Sequence, residues 1–177
     1  MIFKHIFSLF VFVFFTSNSY SLININNCTS TFNMDVPGEI YELTNNISNN
    51  AGNHCLNFIG NNMILDCKGF TLTGDETLYR NGINLQNDHN NTIRNCKIVK
   101  FSSGILFQSS ENNTYENIVI NNSIYPGIYF WSTKSNNNIF RNISIYNTEG
   151  VGLYSNRNST NNTYEDIYIE NFTGGTG

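Results

Sequence analysis

The stretch Asn113-Thr114-Tyr115-Glu116-Asn117-Ile118-Val119-Ile120 decides the fold, because it recurs. It returns as Asn138-Ile139-Phe140-Arg141-Asn142-Ile143-Ser144-Ile145 and as Asn162-Thr163-Tyr164-Glu165-Asp166-Ile167-Tyr168-Ile169. Earlier copies are Asn91-Thr92-Ile93-Arg94-Asn95-Cys96-Lys97-Ile98 and a shorter Asn62-Met63-Ile64-Leu65-Asp66-Cys67-Lys68. Successive starts lie 29, 22, 25 and 24 residues apart. A second block keeps step with the first: Gly82-Ile83-Asn84-Leu85, Gly104-Ile105-Leu106-Phe107, Gly127-Ile128-Tyr129-Phe130 and Gly150-Val151-Gly152-Leu153. Cys55-Leu56-Asn57-Phe58 reads as an earlier copy without its glycine.

Both blocks alternate apolar and polar residues with period two, as half-buried strands do. One such unit cannot bury its apolar face alone, whereas stacked copies bury it against each other. Parallel crossovers are right-handed. The expected fold is all-β, a right-handed single-stranded parallel β-helix (solenoid) of about five to six coils. Leucine-rich repeats have a similar period but need a leucine framework that is absent here. Equivalent residues should stack about 4.8 Å apart. Ile98, Ile120, Ile145 and Ile169 form one expected inward ladder, Cys67, Cys96, Ile118, Ile143 and Ile167 a second, and Leu85, Phe107, Phe130 and Leu153 a third. Asp66, Asn95, Asn117, Asn142 and Asp166 are expected to align as a buried turn ladder bonded through its amides.

Around this repeat the chain divides into residues 1–21, 22–61 and 62–177. The first reads as a signal peptide: Lys4 and His5, an uncharged apolar run from Ile6 to Phe15, then Ser17, Ser19 and Ser21. The second is expected to be an N-terminal cap and first coil. The third holds the β-helix repeats and stops at Gly174-Gly175-Thr176-Gly177, where another Gly-apolar block would begin, so it reads as truncated at the C-terminus. The protein is therefore expected to be secreted, at the cell surface or periplasmic, with no membrane span after cleavage. Charged residues make up 12% and the net charge is -4, which lacks the basic footprint of a nucleic-acid partner. Asparagine supplies 34 residues, a polar bias compatible with disorder, but the 14% aromatic content at fixed spacing favours a packed β fold. Nothing in the repeat speaks to an oligomeric state.

The four cysteines are Cys28, Cys55, Cys67 and Cys96. Export permits disulfides, and spacing alone leaves three pairings open. Cys67 and Cys96 occupy the same position in adjacent copies, and parallel Cβ vectors would strain a bridge between them. They are read as stacked thiols, which leaves Cys28 and Cys55 to pair. The cysteine spacings fit no common zinc pattern, and His5, His54 and His89 are isolated, so no metal and no cofactor are expected.

The Asn-x-Ile-x-Asn and Gly-Ile-x-Leu cadence resembles the repeats of the pectate-lyase-like β-helix superfamily. Within it, Cys28, Pro37-Gly38, Cys55, Leu65-Asp66-Cys67-Lys68-Gly69 and Thr71-Leu72-Thr73-Gly74 resemble the opening of NosD-like β-helix domains. The resemblance implies the fold. It leaves activity open, because one fold hosts many functions. The copper-site maturation associated with the NosD-like name would call for a Met or His cluster, and none accompanies it here.

Candidate site residues follow from the repeat. In Ile128-Tyr129-Phe130-Trp131 the isoleucine and phenylalanine point inward, so Tyr129 and Trp131 should point out. Tyr154 is expected to stack on Trp131 one coil later, and Gln86 and Gln108 to occupy the Trp131 position in earlier coils. These five residues form the candidate ligand site: rings stack on sugar faces and amides direct hydrogen bonds. An inserted corner loop supplies Asp75, Glu76, Tyr79 and Arg80 as a second candidate. The position carrying Leu65, Arg94, Glu116, Arg141 and Glu165 alternates charge, which suits outward ion pairs better than proton transfer. No catalytic residue can be named. The leading reading is an exported non-catalytic module, glycan-binding or an extracellular scaffold, with carbohydrate as its partner. The alternative is a polysaccharide lyase or glycosidase, or a piece of one. Asn-x-Ser/Thr sequons start at Asn27, Asn46, Asn90, Asn112, Asn121, Asn142, Asn158, Asn161 and Asn171. Asn90 and Asn161 suit modification best, and Asn142 is set aside because its ladder should bury it.

Overall fold

The structure is a computed structural model that describes residues 20–131, 134–155 and 158–174. The expected leader, apart from residues 20 and 21, lies outside the described residues. One sheet contains β1 (Leu22–Ile25), β3 (Ile40–Leu43), β4 (Ile47–Ser48), β6 (Ile64–Asp66), β7 (Thr71–Thr73), β9 (Thr92–Val99), β11 (Thr114–Ser123), β13 (Ile139–Thr148) and β15 (Thr163–Phe172). The other contains β2 (Phe32–Met34), β5 (His54–Phe58), β8 (Asn81–Gln86), β10 (Ser103–Gln108), β12 (Ile128–Phe130) and β14 (Leu153–Tyr154). Each strand pairs in parallel with its counterpart one coil away, giving a right-handed parallel β-helix with no helix among the described residues.

The asparagines explain how the coil turns. Asn90, Asn112, Asn137 and Asn161 have φ between 56° and 58°. Five residues on, Asn95, Asn117, Asn142 and Asp166 are also left-handed, and five further on so are Lys100, Asn122, Asn147 and Asn171. Asn and Asp tolerate this conformation because their short polar side chains bond locally. A left-handed residue at every fifth position bends each coil at three corners. The asparagine that opens each block has a different task. Asn91, Asn113 and Asn138 are buried, and their carbonyl oxygens accept the backbone N–H of Met63, Asn91 and Asn113 at 2.9, 2.8 and 3.0 Å. Their amides donate to the carbonyls of Gly60, Asp88 and Ser110.

Apolar side chains fill the interior in columns. Tyr115 and Phe140 stack with centroids 4.8 Å apart, Tyr164 continues the stack at 5.2 Å, and Phe107 lies 4.8 Å from Phe130. Ile120 and Ile145 reach across the core to the other sheet, where a Cβ on Gly104 would lie 2.7 Å from Ile120 Cγ2 and one on Gly127 2.6 Å from Ile145 Cγ2. Glycine is required there because the facing isoleucine occupies the side-chain space.

The register differs from expectation in three places. First, Asp66 pairs with Arg94 rather than Asn95, so Leu65 aligns with Ile93 and is buried instead of joining the charged column. A one-residue slip reverses the face of every side chain in a strand. Second, Cys67 and Cys96 form a disulfide with Cα atoms 4.8 Å apart, not a pair of stacked thiols. Cys67 follows the last paired residue of β6, so the parallel geometry of a continuous ladder does not govern it. Cys28 and Cys55 form the other bridge. Third, Leu153 aligns with Ile128, not Phe130, and Gly152 rather than Gly150 continues the glycine column. The turn ladder is also exposed at Asn117 and Asn142, whose side chains bond at 2.9 Å, so burial gives no reason to set Asn142 aside.

Candidate ligand-binding groove

The outward column of the second sheet changes character along the axis. Asn57 donates to Asn33 at 3.1 Å and Asn84 to Asn57 at 2.7 Å, an amide ladder. The next coils place Leu106, Tyr129 and Tyr154 in that column, and the ladder stops with the Asn84 side-chain oxygen unpartnered. A groove of about 820 Å3 opens there. The Tyr129 ring stands nearly perpendicular to Trp131 and to Tyr154, with centroids 5.5 Å away in both cases. Tyr154 therefore pairs with Tyr129, one coil away, and not with Trp131 as the block spacing suggested. The two-residue shift in the last coil is the cause.

The corner loops supply the remaining wall. Tyr79 comes from the inserted loop and lies 6.4 Å from Tyr125. His54, Asn81 and Ser103 follow one another in register at the head of the groove, and the Asn81 amide lies 3.2 Å from His54 Nδ1. Burial lowers the His54 pKa, so its imidazole is neutral at pH 7. Burial first, and then the neighbouring phenols of Tyr154 and Tyr125, raise the Tyr129 pKa. No carboxylate, lysine or arginine is among the described lining residues.

The structure thus brings Tyr129, Trp131, Tyr154, Gln108 and Tyr79 into one groove. Gln86 lies outside it, against a smaller cleft of about 320 Å3 with Asn57, Asn61 and Asp88. Asp75 and Arg80 pair with each other at the loop, and Glu76 lies 3.9 Å from Lys100 beside another cleft. His54, Ser102 and Ser103 were not singled out from the sequence. Aligning the residues just before each second block (His54, Asn81, Ser103, Pro126) would have found part of the set.

Elsewhere several charged groups form ion pairs. Arg141 bonds Glu165 at 2.6 Å, while Arg94 bonds Asp66 at 2.9 Å. Burial raises the Asp66 pKa, but bonds from Asn95, the Lys68 backbone and Arg94 outweigh it and hold the carboxyl below its usual range. No group of three or more His, Cys, Asp or Glu side chains among the described residues is placed to hold a metal ion.

Asp88 behaves oppositely to Asp66. Burial pushes its pKa up to about 7, against a 2.7 Å bond from the Gln86 N–H. An unfolded carboxyl titrates near about 3.9. Between these values the folded protein binds the extra proton, so Asp88 lowers stability as pH rises from about 4 to about 7. Asp88→Asn should remove that contribution. Relative to the parent, its urea midpoint should gain as pH increases across this window. Equal pH dependence in parent and variant would refute the assignment.

Residues 68–177 match the family model described as "Right handed beta helix region". No curated protein and no solved structure matches the chain.

Proposed function

We propose that this chain, which belongs to the right-handed β-helix family, is an exported non-catalytic module that binds a neutral or weakly charged glycan in its aromatic groove. The observation that carries this reading is a lining whose described residues include Trp131 and four tyrosines and no carboxylate, lysine or arginine. Sugar rings present apolar C–H faces to aromatic surfaces and hydroxyls to amides such as Asn81 and Gln108. The groove volume falls within the usual range for ligand sites. Two disulfides support an oxidising compartment, and the apolar run near the N-terminus supports export. An extracellular scaffold role uses the same surface without a sugar.

The enzyme alternative calls for two carboxyl groups flanking a scissile bond. Among the described residues the groove has none and the smaller cleft has only Asp88, whereas a third cleft, of about 380 Å3, is lined by Glu76 and Glu149. A glycan array read alongside Trp131 fluorescence tests the proposal. Trp131→Ala combined with Tyr129→Ala should weaken binding at least about tenfold, as loss of central aromatic anchors does. Binding unchanged by both substitutions would exclude the groove. Cleavage of a polysaccharide, lost on changing Asp88 or Glu165, would establish the enzyme reading instead.

A further inference from the structure

We infer that Asn90, Asn112 and Asn161 are acceptors for N-linked oligosaccharide, set in one column along a corner of the solenoid. This rests on the export reading above and is independent of the groove. All three begin Asn-Asn-Thr sequons, are exposed, and adopt φ of 58°, 57° and 56°. Their side chains have no partner among the described residues. The register of Thr92, Thr114, Ile139 and Thr163 aligns Asn90, Asn112, Asn137 and Asn161.

Four other sequon asparagines are engaged in the fold. Asn46 accepts the Thr71 N–H at 2.9 Å, and Asn121 accepts from Asn147 at 2.8 Å. Asn142 donates to Asn117 at 2.9 Å and Asn171 to Asn147 at 3.1 Å through the amide nitrogen that a glycan would substitute. At the column, substitution breaks no hydrogen bond. Asn137 is an internal control: it shares the column, the exposure and a φ of 56°, but Ile139 replaces the sequon hydroxyl.

The donor is an oligosaccharide carried on a lipid diphosphate. The asparagine Nδ2 attacks C1 of the first sugar and loses one proton. The N–C1 bond forms as the C1–O bond to diphosphate breaks, and the lipid diphosphate leaves with the electron pair. Asn90 and Asn112 are one coil apart, about 4.8 Å, so a glycan on one covers the other. Asn161 lies two coils beyond Asn112 and is unobstructed by either.

Peptide mass mapping of the protein recovered from the cells that make it, and from their medium, tests this inference. Oligosaccharide mass is expected on Asn161 and on either Asn90 or Asn112 of each molecule, with Asn137 bare. Asn112→Gln should move occupancy to Asn90, and Thr163→Val should strip Asn161 while the unfolding midpoint stays near that of the parent. Protein found outside the cell with its leader removed and all three asparagines bare overturns the modification and leaves export standing. Protein held inside the cell with its leader intact overturns export, and the modification with it. Glycans confined to Asn142 or Asn171 also overturn the assignment.

Discussion

Ile145→Asp abolishes cooperative folding. Ile145 is fully buried, and its Cγ2 fills the space in front of Gly127 on the opposite sheet. The substitution forfeits roughly 1.5–3 kcal/mol of apolar burial. It also places a carboxylate among Ile120, Ile143 and Ile169, with no cation in that interior to pair with it. An unpaired buried charge costs several kcal/mol more, a large share of the about 5–15 kcal/mol that holds a domain folded. Because each coil is the template for the next, losing one coil also exposes its neighbours. Circular dichroism should lose the β signal, and Ile145→Val should stay folded with a cost near 0.5–1.5 kcal/mol. A folded Ile145→Asp variant with the parent urea midpoint would mean that this position does not face the core.

Asn113→Ala is the second large effect, and it separates two asparagine ladders that look alike in sequence. Asn113 is fully buried, accepts the Asn91 N–H at 2.8 Å and donates to the Asp88 carbonyl. Truncation leaves the Asn91 N–H unpaired in the interior, while the Asp88 carbonyl keeps its bond from the Glu111 N–H at 3.1 Å. One orphaned buried group costs about 1–3 kcal/mol, which is the expected loss. Asn117 sits four residues away with φ 55°, exposed, and bonds only to side chains of its own column. Asn117→Gly keeps access to the left-handed conformation and should cost less than about 1 kcal/mol. Urea midpoints of the two variants decide the matter. Equal losses would show that the buried ladder has no special weight.

These two asparagines mark how much of the fold was legible. Spacing identified the coil, its strands and most of its inward columns, because a residue in a stacked repeat meets the same environment as its copies. It did not distinguish Asn113 from Asn117, because the amide is equally suited to a buried backbone bond and to a left-handed corner. The candidate site was legible only in part. Tyr129, Trp131 and Tyr154 follow from alternation along a strand, whereas Tyr79 and Tyr125 come from corner loops whose paths obey no repeat. Gln86 was assigned to the site by its column, but the groove opens beyond it, after the amide ladder gives way to Leu106.

By itself the sequence determined an all-β right-handed solenoid, the inward columns built on Ile98, Ile120 and Ile145, and the outward placement of Tyr129 and Trp131. Period-two alternation repeated at one coil length leaves no other efficient way to bury those faces. The tertiary structure alone decided the local register at Asp66, the Cys67–Cys96 bridge, the alignment of Leu153 with Ile128, and the meeting of Tyr79 with Tyr125. Each depends on how many residues a corner takes up between paired strands. Left-handed asparagines and short loops allow that number to vary at little cost, so the backbone bonds formed after stacking select it.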